Sequence, residues 1–248
     1  MSATDFYDDY WSRRTRPSAA WDQKRVTRVL GPLLGLGRIL DYGCGIGKTY
    51  RPILSSSVGH YSGADVSRVA LQTLDAATQS AYPIDPETSR ITADDALFDG
   101  ACSIEVLEHL PDPLAAAREL FRVLKPGGVL VATVPNFGYH AWRLMALLRA
   151  EVPSEPERPL ENRFNGVHIR FYNTRSFARL FRDAGFQNVS IGSFDDSSIW
   201  DITRGLGPLA AVSDFARRHL PPLANLRFLQ EVCPALFAYR IRAVALKR

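Results

Sequence analysis

Short apolar runs alternate with amphipathic stretches along the chain, and this pattern predicts an α/β protein. In 113–124 the apolar residues recur at helical spacing, whereas 236–246 alternates apolar and polar residues, as a strand with one exposed face does. The predicted strands are 39–40, 61–65, 91–95, 100–104, 129–134, 189–194 and 236–246, and the predicted helices are 22–34, 68–81, 113–124, 139–148 and 174–184. Strands that alternate with helices favour an open sheet with helices packed against it.

The first predicted strand ends in a glycine-rich loop. Asp41 follows the apolar pair Ile39–Leu40, and Gly43, Gly45 and Gly47 come next at alternate positions. Glycines in such a loop let the backbone turn sharply and let a ligand approach it without interference from a Cβ atom. A strand, a glycine loop and a following helix together form the ligand-binding corner of an open α/β sheet.

The spacing and the charge of this loop discriminate among three kinds of ligand. A phosphate-binding P-loop has four residues between its first glycine and the Gly-Lys-Thr sequence, whereas only three separate Gly43 from Gly47. The dinucleotide pattern G-x-G-x-x-G places its third glycine one residue later than Gly47. The carboxylate of Asp41 repels a pyrophosphate and attracts a cation. S-adenosylmethionine, with an ammonium, a sulfonium and no phosphate, fits this corner best.

A second carboxylate stands at the end of the second predicted strand. Asp65 lies 22 residues after Gly43, the separation at which a βαβ unit brings an acid to the ribose hydroxyls of a nucleoside. A carboxylate can accept two charge-assisted hydrogen bonds from a diol. The alternative role, capping the next helix, suits Ser67 better. Asp65 is therefore predicted to bind the ribose.

Three motifs give the chain a family resemblance. The run Asp41 to Gly47 resembles the D-x-G-C-G-x-G signature of class I S-adenosylmethionine-dependent methyltransferases, and E-V-L-E-H-x-x-D-P at 105–113 and K-P-G-G at 125–128 resemble later segments of that family. The resemblance covers about 38–136 and implies a Rossmann-like seven-stranded sheet with helices on both faces, an antiparallel last strand and helical insertions that form a lid. It implies cofactor contacts from Asp41, Gly43, Cys44, Gly45, Gly47, Asp65, Val66, Asp94, Asp95 and Glu105, with Asp94 or Asp95 at the adenine although the following spacer is short.

The region after the fourth predicted strand resembles ubiquinone-type O-methyltransferases. His109 titrates near neutrality and is the candidate base that takes the proton of an acceptor hydroxyl. Glu105, Glu108 and His109 match the E-x-x-E-H pattern thought to hold a divalent cation in those enzymes, although no metal is expected here. Candidate acceptor contacts come from the 139–173 region, and packing is the alternative role of each: His140, Trp142, His168, Arg170 and Tyr172.

A single methyltransferase domain over 1–248 accounts for the whole pattern. Its expected parts are an N-terminal arm at 1–37, a core at 38–136, a lid insertion at 137–173, a second helical insertion at 197–233 and a closing strand at 235–248. Aromatic residues of the arm, Tyr7, Tyr10 and Trp11, are candidates for closing the site or for packing. The apolar and arginine-bearing second insertion could pack on the protein or contact a membrane surface.

Composition adds few constraints. The chain has 248 residues, is 46% hydrophobic and 23% charged, and carries a net charge of +4, with −2 on 1–140 and +6 on 141–248. Three widely spaced cysteines, no recognisable secretory signal and no apolar run of membrane-spanning length lead us to expect a cytoplasmic protein with reduced thiols. Nucleic acid is not expected as a partner, because no Asn/Asp-Pro-Pro-Tyr-type segment follows the fourth strand. The oligomeric state is not indicated.

The sequence as a whole predicts transfer of a methyl group from S-adenosylmethionine to a small-molecule or lipid-linked acceptor, most naturally at oxygen. Holding the acceptor and the methyl carbon in line would be the main task of the protein, since the sulfonium is already a good leaving group. Two alternatives belong to other classes: a non-catalytic S-adenosylmethionine-binding protein and a nucleotide-dependent oxidoreductase.

Overall fold

The computed structural model describes residues 2–13, 21–47, 49–76, 79–149, 168–193 and 232–248. Its seven strands are β1 Arg38–Tyr42, β2 His60–Asp65, β3 Gln79–Pro83, β4 Phe98–Ile104, β5 Leu124–Pro135, β6 Gln187–Ser193 and β7 Arg240–Leu246. They form one sheet in the order β3-β2-β1-β4-β5-β7-β6. Strands β1 to β5 pair in parallel, and β7 runs antiparallel to both β5 and β6. The predicted seven-stranded sheet with an antiparallel last strand is confirmed.

Helices cover both faces of this sheet. They are α1 Ala3–Arg13, α2 Gln23–Leu30, α3 Arg51–Ser56, α4 Arg68–Leu71, α5 Pro113–Val123, α6 His140–Arg149, α7 Thr174–Asp183 and α8 Pro234–Phe237. One apolar cluster joins α5 and α7 to the face of β1 that bears Leu40. A second cluster joins α2 and α3 to the opposite face, which bears Ile39. The alternation of side chains along β1 thus supplies both cores.

Local sequence explains where α5 and α7 begin. Asp112 caps α5 by accepting from the backbone amides of Leu114 and Ala115, with Pro113 at the first helical position. Asn173 forms a capping box with Ser176 at the start of α7. The cap thus lies directly before residue 174, where the sequence predicts that this helix begins.

The third strand is the main error of the sequence-based prediction. Residues 91–95 form no strand, and β3 is Gln79–Pro83, which pairs with all of Tyr61–Asp65. The predicted helix at 68–81 ends after one turn, at Leu71. Residues 91–93 instead follow the end of α5, where the guanidinium of Arg122 donates to the carbonyls of Ile91 and Ala93. Backbone groups satisfied by a side chain need no neighbouring strand.

The N-terminal arm packs onto the sheet at the start of α4. The carboxylate of Asp8 accepts from the hydroxyl of Ser67 at 2.6 Å and from the amide of Val69 at 3.2 Å, and it pairs with Arg68. Asp8 therefore supplements the cap that Ser67 gives to α4. These contacts hold α1 across the end of β2.

The two predicted insertions are described only in part. The first contains α6, as expected, but 150–167 lie outside the described residues. Of the second, expected at 197–233, only its last two residues are described. A lid role for either segment therefore stays a prediction. Within the described part of the chain, no helix is long and apolar enough to span a membrane.

Candidate cofactor and acceptor site

The carboxyl ends of β1, β2 and β4 bring three of the predicted site residues to one edge of the sheet. Asp41, Asp65 and Glu105 lie at or just after the ends of these strands. Strand β1 has β2 on one side and β4 on the other, so the chain order reverses beside it. Ligands of open α/β sheets bind at such a switch point.

The glycine loop after β1 has the sharply turning backbone that its sequence predicts. Gly43, Gly45 and Gly47 all have positive φ, at +79°, +51° and +67°. The amides of Gly43 and Cys44 both donate to the carbonyl of Ala64, which ties the loop to β2. This conformation favours glycine and leaves the backbone open to close approach by a ligand.

Asp65 is the carboxylate most directly linked to this loop. One of its oxygens accepts from the amide of Gly45 at 2.8 Å and the other from the amide of Ser67 at 2.9 Å. Burial raises the pKa of Asp65 to about 6, against the lowering effect of these hydrogen bonds. Each oxygen keeps a second lone pair, so Asp65 can still accept hydrogen bonds from a diol.

This pKa predicts a pH dependence of cofactor binding. Hydrogen bonds from ribose hydroxyls favour the ionised carboxylate, so the affinity for S-adenosylhomocysteine should fall as the pH drops below about 6, by up to about tenfold per unit. Between neutral pH and pH 8 it should be flat. Calorimetry across this range, with Asp65→Asn as the matched variant, checks the assignment. Asp65→Asn should bind more weakly throughout and lack the acid slope, and an identical slope in both proteins would contradict a role for Asp65.

Asp41 lies beneath the loop. Its carboxylate is fully buried and accepts from the hydroxyls of Tyr50 at 2.9 Å and Tyr61 at 2.5 Å, with the thiol of Cys102 at 3.5 Å. Burial raises the pKa of Asp41, and the hydrogen bond from Tyr61 opposes that rise. These contacts hold the buried carboxylate in place, so Asp41 fixes the junction between strand and loop.

Arg51 stabilises the glycine loop by hydrogen bonding, a role that nothing in its sequence context predicts. Its guanidinium is buried and donates to the carbonyl of Gly45 at 2.6 Å and to the hydroxyl of Thr73 at 2.9 Å. A Cβ atom on Gly47 would lie 2.0 Å from the guanidinium carbon. Arg51 thus connects the glycine loop to the segment after α4 and fills the space that Gly47 leaves. Cys44 is also buried, and burial raises the pKa of its thiol well above the usual value.

The N-terminal arm lies against the glycine loop, and closure of the cofactor site by its aromatic residues stays a prediction. The ring of Trp11 lies against the loop, where a Cβ atom on Gly45 would be 2.7 Å away. Burial raises the pKa of Tyr7 to about 12, and the nearby carboxylates of Asp65 and Glu108 add to this rise. Tyr10 packs edge-on against Trp11. The phenol of Tyr7 is therefore close enough to both Asp65 and Glu108 for their charges to act on it.

The two acids proposed for the adenine lie elsewhere. Asp94 and Asp95 are exposed and precede the start of β4, and Asp95 pairs with Arg122 near the end of α5. This is the opposite edge of the sheet from Asp65. The acid that does follow β3 at the carboxyl edge is Asp85, whose carboxylate accepts from the amide of Glu87 and the hydroxyl of Thr88. If the third strand had been predicted at 79–83, the sequence would have indicated Asp85 as the acid that follows it.

Glu105, directly after β4, has a left-handed backbone conformation and is paired with Thr133 and Arg240. Its φ is +57°, and its two oxygens accept from the hydroxyl of Thr133 and the guanidinium of Arg240, each at 3.0 Å. Of the three residues that match the E-x-x-E-H pattern, Glu105 is paired with Arg240. Val66 lies half-buried after β2, next to Asp65.

Glu108, His109 and His168 form a cluster of titratable side chains on the candidate acceptor side. The carboxylate of Glu108 is 1% exposed and has no hydrogen-bond partner among the described residues. The Nε2 atom of His109 lies 3.8 Å from it, and the ring centroids of His109 and His168 are 4.8 Å apart. Burial and the carboxylate of Glu105 raise the pKa of Glu108 well above its usual value, whereas burial lowers the pKa of His168.

The remaining acceptor candidates divide into two groups. Tyr172 is buried near Glu108, with no hydrogen-bond partner for its hydroxyl among the described residues, and burial raises its pKa. His140 lies apart, with Nδ1 at 2.9 Å from the carbonyl of Leu236. Trp142 packs against Phe137, and the exposed Arg170 donates to the carbonyls of Leu110 and Pro111. Only His168 and Tyr172 of the predicted set join Glu108 and His109.

The strand order, the antiparallel β7 and the glycine loop at the β1–β4 switch point define a class I methyltransferase fold. The chain belongs to the methyltransferase-domain family, which it matches over residues 10–191. Among solved structures, an S-adenosylmethionine-dependent methyltransferase from Archaeoglobus fulgidus superposes with a TM-score of 0.57 at 16% identity, covering 90% of this chain and 92% of the other. At 16% identity, this similarity shows that the two proteins share a fold and shows nothing about their substrates.

Curated relatives match over shorter segments. A ubiquinone biosynthesis O-methyltransferase from Alkalilimnicola ehrlichii is 34% identical over 131 residues, which are 51% of this chain and 52% of that protein. A 2-methyl-6-phytyl-1,4-hydroquinone methyltransferase from Synechocystis is 38% identical over 102 residues, 38% of this chain and 30% of the relative. The chain thus spans about half or less of the length of these relatives.

Proposed function

We propose that this protein transfers a methyl group from S-adenosylmethionine to a hydroxyl of a small-molecule or lipid-linked acceptor. The observation that carries the proposal is that two groups lie at the same edge of the sheet: Asp65, which accepts from the amide of Gly45, and the cluster of Glu108, His109 and His168. The first group suits a phosphate-free nucleoside, and the second group suits proton removal. Family membership and the activity named for the ubiquinone biosynthesis relative support the same reaction.

The cofactor would lie across the glycine loop beneath α1. Asp65 would accept from the ribose, Gly43, Gly45 and Gly47 would let the methionine portion approach the backbone, and Asp85 is placed for the adenine side. Asp41 and Arg51 would act indirectly by fixing the shape of the loop. Asp94 and Asp95, on the opposite edge, have no part in this arrangement.

On the acceptor side, His109 would take the proton as the hydroxyl oxygen attacks the methyl carbon. The oxygen–carbon bond forms while the carbon–sulfur bond breaks, which leaves S-adenosylhomocysteine and the methyl ether. Burial raises the pKa of Glu108, and in its protonated form Glu108 would donate a hydrogen bond to the acceptor. His168 beside His109 remains neutral at lower pH than a free imidazole, so it can accept from the acceptor or from a protonated His109.

The proposal is tested by supplying methyl-labelled S-adenosylmethionine with panels of phenols, catechols, lipid quinols and amines. Label should pass to a hydroxyl-bearing acceptor and depend on His109. Tight cofactor binding without transfer to any acceptor would favour a binding protein, and transfer only to amines would move the proposal to nitrogen.

The cluster of Glu108, His109 and His168 could bind a divalent cation instead of acting on the acceptor proton directly. Donor atoms of Glu108, His109 and His168 lie within 4.8 Å of one another, which fits a small oxygen- and nitrogen-ligated ion after a modest closure. Such an ion would lower the pKa of a bound hydroxyl. We expect transfer to survive EDTA, because His109 and Glu108 are sufficient for it. Loss of activity on chelation, restored by Mg²⁺, would assign these three residues to the ion instead.

A further inference from the structure

A groove of about 950 Å³ adjoins the acceptor side of the site, with which it shares Tyr172, and lies between the turn at Pro111–Pro113 and the stretch 170–183 that contains α7. Its charged lining is mainly cationic. The arginines are Arg170, Arg175, Arg179 and Arg182, and the acids are Asp112 and Asp183. Asp112 is occupied as the cap of α5. The groove therefore has an excess of positive charge.

Three of these arginines form a stripe along α7. Arg175, Arg179 and Arg182 are spaced at i, i+4 and i+7, so they share one face of the helix, and all three are exposed. In the described part of the chain, none of them forms an ion pair with a carboxylate. The stripe extends over about 10 Å at the rise of an α-helix. That spread suits several anionic groups on a surface better than one enclosed anion.

Exposed apolar side chains lie at the end of this stripe. Phe171, which lines the groove, is 48% exposed, and Ile169 is 39% exposed. The ring of Phe171 also packs edge-on against Phe137, with centroids 4.3 Å apart. Cationic residues beside exposed aromatic and aliphatic side chains are typical of surfaces that lie in a membrane interface.

The stripe is connected to the acceptor side of the site. The backbone amides of Ile169 and Arg170 both donate to the carbonyl of Glu108 at 3.0 Å. His168, one residue earlier, packs against His109. Whatever binds the groove and its apolar end therefore lies next to the residues proposed to handle the acceptor.

We propose that the α7 stripe with Ile169 and Phe171 docks the protein on the headgroups of anionic phospholipids, so that the acceptor side faces the bilayer. Docking on the membrane would select a lipid-linked acceptor and so deepens the proposed function. Only this choice of acceptor rests on the proposed function; the docking itself does not. Guanidinium groups bind phosphate oxygens in bidentate pairs, and Ile169 and Phe171 would enter the interfacial layer.

The test is co-sedimentation with vesicles of phosphatidylcholine, with and without phosphatidylglycerol. The full chain should bind the anionic vesicles and lose most binding at high salt. Arg175→Gln/Arg179→Gln/Arg182→Gln should lower the partition coefficient about 100-fold, at about fivefold per arginine. The matched control, Lys24→Gln/Arg38→Gln/Arg248→Gln, removes the same charge at exposed positions elsewhere and should lower it far less.

Three outcomes would overturn the proposal: equal losses in both triple variants, no binding to anionic vesicles, or saturable binding of inorganic pyrophosphate to the stripe without vesicle binding. Calorimetry with S-adenosylhomocysteine on the same variants separates this proposal from the proposed function. Unchanged cofactor affinity in the stripe variant, together with lost vesicle binding, supports docking. Absence of cofactor binding in every protein would remove the methyltransferase proposal while the vesicle result stood.

Discussion

Gly43→Ala should weaken the binding of S-adenosylhomocysteine by about 100-fold, the equivalent of about 2.7 kcal/mol. An added Cβ atom would lie 2.4 Å from a methyl carbon of Val106 and 3.2 Å from its Cβ, so the loop or the segment after β4 must move. Overpacking of this kind costs roughly 1–3 kcal/mol. The displaced amides of Gly43 and Cys44 would also release the carbonyl of Ala64.

Gly35 provides the matched control for this variant. Its φ of +81° is close to the +79° of Gly43, but an added Cβ atom there meets nothing within 4 Å. Both alanine variants should therefore lose a similar amount of stability from backbone strain, about 1–2 kcal/mol. Only Gly43→Ala should lose cofactor affinity. Equal affinity in both variants, measured by calorimetry on folded protein, would show that the loop does not bind the cofactor.

His109→Ala should lower kcat by about 10²- to 10⁴-fold, the usual contribution of a general base. The affinity for S-adenosylhomocysteine should stay unchanged, because His109 lies on the acceptor side with Glu108 and His168. The pH–rate profile should also lose its ascending limb in the variant. Single-turnover rates with labelled cofactor, combined with calorimetry, measure the two effects separately.

His60 is the control for a histidine outside the site. It lies at the start of β2, on the opposite edge of the sheet from Asp65, with its Nε2 atom 2.9 Å from the hydroxyl of Ser80. His60→Ala should leave kcat unchanged. If His109→Ala also kept full turnover and the same pH profile, proton removal would have to be assigned to His168 or to the acceptor itself.

Features encoded by neighbouring residues were predictable from the sequence. The glycine loop and Asp65 follow from strand ends and glycine spacing, which determine local backbone conformation directly. The number of strands and the antiparallel last strand came from resemblance to a family. The position of β3 was missed because two acids after a short apolar run looked like a strand end, whereas Arg122, distant in sequence, satisfies the carbonyls of that segment.

Contacts between distant residues account for the rest of the site. The engagement of Glu105 by Arg240 spans 135 residues, and the approach of His168 to His109 depends on how 168–173 packs against 107–111. Arg51 beneath the loop depends on the space left by Gly47. No local pattern records such pairings, since each partner alone resembles an ordinary surface or packing residue.

Titration calorimetry of the purified, folded chain with S-adenosylhomocysteine, with NAD and ATP as comparison ligands, tests the central claim most directly. The account predicts saturable binding of S-adenosylhomocysteine at one site per chain, weakened by Gly43→Ala, and no binding of the two phosphate-bearing nucleotides at that site. Binding of NAD or ATP without binding of S-adenosylhomocysteine would contradict it.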